Sequence, residues 1–75
     1  MQARDEQIAK IADAIQRYLD SHPDAADTAE GIKKWWLPPE QPADTGTVLF
    51  ALARLEAQGL IRRRINADQH ELYLH

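Results

Sequence analysis

The sequence predicts a compact α+β domain, three helices followed by a C-terminal β-hairpin, on three observations. Apolar residues recur at helical spacing in three separate segments. Residue types that start and stop helices stand at the ends of those segments. Two short runs rich in leucine, isoleucine and tyrosine close the chain around a polar turn. A chain of 75 residues holds one small domain, so residues 1–75 are taken as a single unit.

The first helix is expected over about residues 5–21. Ile8, Ile11, Ala12, Ile15 and Leu19 line one face, and Asp5 and Glu6 favour the positive end of the helix dipole. Pro23 disfavours helical geometry at His22 and closes the helix.

The second helix is expected over about residues 28–37. Asp27 and Glu30 resemble a capping box with Asp in place of Ser or Thr. Ala29, Ile32, Trp35 and Trp36 follow at helical spacing, and Gly31, costing about 1 kcal/mol relative to Ala, implies tertiary support or a close approach. Pro38 and Pro39 stop the helix and open a stiff connector that ends with Pro42. A brief strand at Ala25–Ala26 is expected ahead of it.

The third helix, about 45–58, has Asp44 as N-cap and Gly59 just past its end, with Val48, Ala51, Leu52 and Leu55 facing inward. "LIRRRI" and "HELYL" then form strands over about 60–65 and 70–74 around the turn "NADQ".

Leu52, Leu55, Gly59, Leu60 and Ile61, followed by Arg62, Arg63 and Arg64, give a Leu-x-x-Leu-x-x-x-Gly-Leu-Ile pattern running into a basic strand. This resembles the winged helix-turn-helix domains of bacterial transcription regulators over nearly the whole chain. The resemblance implies that the third helix enters the major groove of duplex DNA and that cations of the hairpin wing touch phosphates or the minor groove. Thr45, Thr47, Arg54, Arg62, Arg63, Arg64, Lys33 and Lys34 are the residues such binding would use. The chain departs from the family where seven residues and three prolines replace the usual turn of 3–4 residues between helices two and three.

The outer face of the third helix points elsewhere. It carries Gly46, Phe50, Ala53 and Ala57, whereas a groove-reading helix needs Arg, Lys, Asn or Gln to reach base edges, and only Arg54 qualifies. An outward Phe among small residues suits another apolar surface. Trp35 and Trp36 diverge by about 100°, so one anchors the core and the other lies at its rim. Phe50, Ala53, Ala57 and Trp36 form the candidate protein-binding set.

Charge leans the same way. The net charge is −3, with −4 over residues 1–30, +3 over 31–64 and −2 over 65–75, so only the middle segment favours phosphate. The leading expectation is a non-catalytic, regulatory module that binds a protein partner or itself. The alternative is a regulator that binds double-stranded DNA.

The chain lacks cysteine, and His22, His70 and His75 share no ligand spacing, so neither a metal nor a cofactor is expected. No phosphate loop or nucleophile–base pair is present, and so small a domain rarely encloses a substrate cavity of about 300 Å3. No apolar run approaches a membrane span, and "MQARDEQIAK" lacks the apolar stretch of a secretory signal, which makes the cytoplasm the expected compartment.

Overall fold

The computed structural model describes residues 3–41 and 43–75. Pro42, the third proline of the connector, lies outside the described residues, as do Met1 and Gln2. The chain forms three helical segments and a three-stranded antiparallel sheet, an architecture consistent with a winged-helix-like α+β fold.

Helix α1 runs Ala3–Ser21. Its predicted stripe is buried at Ile11, Ala12, Ile15 and Leu19, with Ile8 packed at the margin. The His22 N–H donates to the Tyr18 carbonyl at 2.8 Å, and Pro23 prevents a further turn.

Strand β1, Ala26–Asp27, lies one residue later than the sequence suggests. It pairs antiparallel with β3, Glu71–Leu74, through Ala26 opposite Leu74 and Asp27 opposite Tyr73. That pairing also moves the helix cap. Thr28, not Asp27, is the N-cap of α2, Ala29–Gly31, and its hydroxyl accepts from the Gly31 N–H at 3.2 Å. Asp27 instead accepts from the Thr28 N–H at 2.8 Å, and its carboxylate occupies the space that a Cβ at position 31 would need. Gly31 is thus the close approach its residue type implied.

The α2 segment passes directly into a π-helical segment, Ile32–Trp36. This wider winding advances roughly 82° per residue instead of 100°. Trp35 is thereby turned away from the face shared by Ile32 and Trp36, both of which are buried. Trp36 stacks on Tyr18 with centroids 4.8 Å apart, and Tyr18 stacks on His22 at 4.2 Å.

Helix α3, Thr45–Ala57, is bounded by the predicted signals. Asp44 accepts from the Thr47 N–H at 2.7 Å. At the far end Gly59 takes φ +74°, while the Leu60 N–H reaches the Leu55 carbonyl and the Gly59 N–H that of Glu56. This pair of bonds is a Schellman motif, which needs a left-handed residue and therefore favours glycine. Leu60 belongs to this cap and Ile61 dips into the core, so β2 begins only at Arg62 and runs to Ile65.

In the hairpin turn the Asn66 side chain accepts from the Asp68 and His70 N–H groups. The strand order is β1–β3–β2. Ile11, Ile15, Leu19, Ile32, Val48, Leu52 and Ile61 make the core, which is capped by Trp36 and Tyr73.

Candidate functional site

Four inward residues, Val48, Ala51, Leu52 and Leu55, fix the orientation of α3 against α1. Gly46, Phe50, Ala53 and Ala57 are consequently exposed, as the helical period requires. The Phe50 ring is 57% exposed, and Leu49 beside it, absent from the sequence-based face, is 43% exposed. Gly46, Leu49, Phe50 and Ala53 line a shallow, largely apolar depression of about 330 Å3.

Arg4 projects from the first turn of α1, and its guanidinium carbon lies 4.9 Å from the Phe50 ring centre, a cation–π contact. Neither residue betrays this contact in the sequence, because it depends on how α1 crosses α3. Arg4 and Lys33 also influence Asp44. Hydrogen bonds from the Thr47 side chain and then its backbone hold the Asp44 carboxyl below the ordinary aspartate range, and the two cations act in the same direction.

Trp36 does not belong to this face. It is 6% exposed and sealed against Tyr18, whereas Trp35 is 73% exposed. The outward tryptophan borders an open groove with Arg17 and Tyr18 of α1 and Pro38 and Pro39 of the connector, away from the depression at Phe50.

The residues proposed for DNA contact are only partly available. Thr47 is 4% exposed, so its hydroxyl is withdrawn from solvent, and the Thr45 hydroxyl donates to Glu30 at 2.9 Å. Arg63 is held between Glu56 of α3 at 3.5 Å and Glu71 of β3 at 3.4 Å. These half-exposed pairs stabilise the fold little, but they offset the charge that Arg63 would bring to a phosphate. Glu71 lies diagonally across the ladder from Arg63, a relation readable once the register is known.

Arg62 donates two bonds to the His75 carbonyl. Strand alternation places Arg62 and Arg64 on the sheet face opposite Arg63, hence away from α3. Arg54, Arg64 and Lys34 are exposed, and no ion pair joins them to a carboxylate among the described residues. Lys33 is half-buried.

The Tyr73 hydroxyl donates to Glu71 at 3.4 Å, and burial, followed by the nearby Glu71 charge, pushes its ionisation upward. A second open groove, about 510 Å3, runs between α2, α3 and the hairpin turn and includes Glu30, Thr45 and His70. Among the described residues no group of three or more His, Cys, Asp or Glu side chains is placed to hold a metal ion. No helix there is long and apolar enough to cross a membrane. Compared with protein-family models, with curated proteins and with solved structures, the chain shows no match.

Proposed function

We propose that this chain is a non-catalytic winged-helix module, related in shape to bacterial transcription regulators, that acts in the cytoplasm by binding a protein partner through the outer face of α3. The observation that carries this reading is the Phe50 ring, more than half exposed beside Leu49 and Ala53 in a mostly apolar depression. Exposed aromatics with apolar neighbours are the usual anchors of protein interfaces. The pairing of Arg63 with two glutamates and the burial of Thr47 weigh against helix α3 and the wing gripping DNA together.

Retention of partners from a native cell extract, together with sedimentation of the purified chain, tests this reading. Phe50→Ala removes an exposed ring and leaves the core intact. It should lower retention of the specific partner, or self-association, by about ten-fold or more, as expected of an anchor worth about 2 kcal/mol. Equal retention and equal sedimentation of the two proteins would end this reading.

Arg54, Arg64 and Lys34, which form no ion pair among the described residues, favour a second reading as a double-stranded DNA binder. On that reading duplex affinity falls with salt on a log–log slope of about −0.9 per phosphate, and Arg64→Ala flattens it. Absence of any resonance shift with duplex at low salt removes it.

A further inference from the structure

The contact between Arg4 and Phe50 restricts what can dock on α3. The guanidinium lies over the ring, so a partner seated on Phe50 meets Arg4 at its edge. An apolar partner alone would strip water from a full charge and leave it unpaired, which is strongly unfavourable. Arg4 forms no ion pair with Asp5, Glu6 or Asp44 among the described residues. Asp44 is already committed to capping α3. Arg54, about one helical turn beyond Phe50, is likewise exposed and forms no ion pair among the described residues. Arg17 and Arg63, by contrast, are matched with acids of the same chain.

Building on the reading of this face as a protein-docking surface, we propose that its partner is an acidic amphipathic helix. Its apolar side chains cover Leu49, Phe50 and Ala53, and its carboxylates pair with Arg4 and Arg54. A carboxylate meets a guanidinium with two parallel hydrogen bonds, which satisfies the charge that docking removes from water. A helix laid along α3 brings a side chain to one face about every 5.4–6 Å, and Phe50 and Arg54, four residues apart, are separated by a rise of about 6 Å. A nucleic-acid phosphate would also satisfy Arg4, but it leaves Leu49 and Phe50 without an apolar counterpart.

The test uses two synthetic helical peptides of about 20 residues, long enough to hold helical structure. They share one leucine and phenylalanine face, with glutamate flanking it in one and lysine in the other. Each is titrated into the labelled full chain and followed by amide resonances and calorimetry. The glutamate peptide should shift the amides of residues 46–57 and bind at least about ten-fold tighter than the lysine peptide. Arg4→Glu or Arg54→Glu should abolish or invert that preference, with the fold checked by circular dichroism.

Equal affinity for both peptides, lost together in Phe50→Ala, would overturn the acidic partner while leaving an apolar docking face. Binding of neither peptide would overturn the proposal, and the retention assay would then judge the docking face on its own. Displacement of the glutamate peptide by duplex DNA, with the same amides shifted, would overturn it in favour of nucleic acid.

Discussion

Helix α3 and the segment from Thr28 to Trp36 both start on a side-chain cap, yet they are specified differently. Every device that bounds α3 acts within about one turn: Asp44 on Thr47 at the start, Gly59 with Leu55 and Glu56 at the end. The earlier segment changes its winding midway, and its last residue, Trp36, is held by a ring from another helix. The first kind of helix is written in neighbouring residues. The second is decided by packing between residues far apart in the chain.

Substitutions can break this comparison. The largest effect should come from Trp36→Ala, which removes a buried ring stacked on Tyr18 and should cost about 3–5 kcal/mol in urea unfolding. Trp35→Ala, one residue earlier on the solvent side, should stay within about 0.5 kcal/mol. Similar losses from the two variants would mean that the π-helical winding does not separate the rings as described.

Gly59→Ala should cost about 1–2 kcal/mol, because a left-handed φ penalises any Cβ even where surrounding space is free. A neutral result would show that the end of α3 is not locally fixed. Asp44→Ala removes the N-cap of α3, and the size of its effect depends on pH. The folded-state pKa of Asp44 is depressed, so its contribution is fully present above the unfolded value and is lost as pH falls through the folded one. Thermal melts of variant and parent should therefore differ at pH 7 and draw together only as the pH falls from 3.8 through the lower folded-state value.

Much of the scaffold could be read in advance from residues such as Ile11, Ile15 and Leu19, whose spacing alone names a helix face. Asp44 and Gly59 bounded α3 to within a residue, and Asn66 marked the hairpin turn. The choice between Asp27 and Thr28 as cap was not legible, because the competition is settled by Asp27 pairing with Tyr73 across the sheet. The π-helical winding leaves no periodic trace in five residues, so which tryptophan faces outward stayed undecided.

The candidate site divides along the same line. Phe50 and its small neighbours followed from the period of a single helix. Arg4 over Phe50, and Glu56 against Arg63, join elements whose crossing no local rule supplies. Within the run of three arginines, the pairing of Arg63 with Glu56 and Glu71 was not legible because the register and the helix crossing set it.

The two-residue ladder of β1 has a topological consequence. It ties Ala26 to Leu74, so the segment behind α1 is fastened to a strand made almost fifty residues later. Each helix and the hairpin can form from nearby contacts, whereas this clasp, like the packing of α1 on α3, joins residues far apart in the chain. It is thus a latch that gives the sheet its third strand and ties the entry to the second helical segment to the last strand.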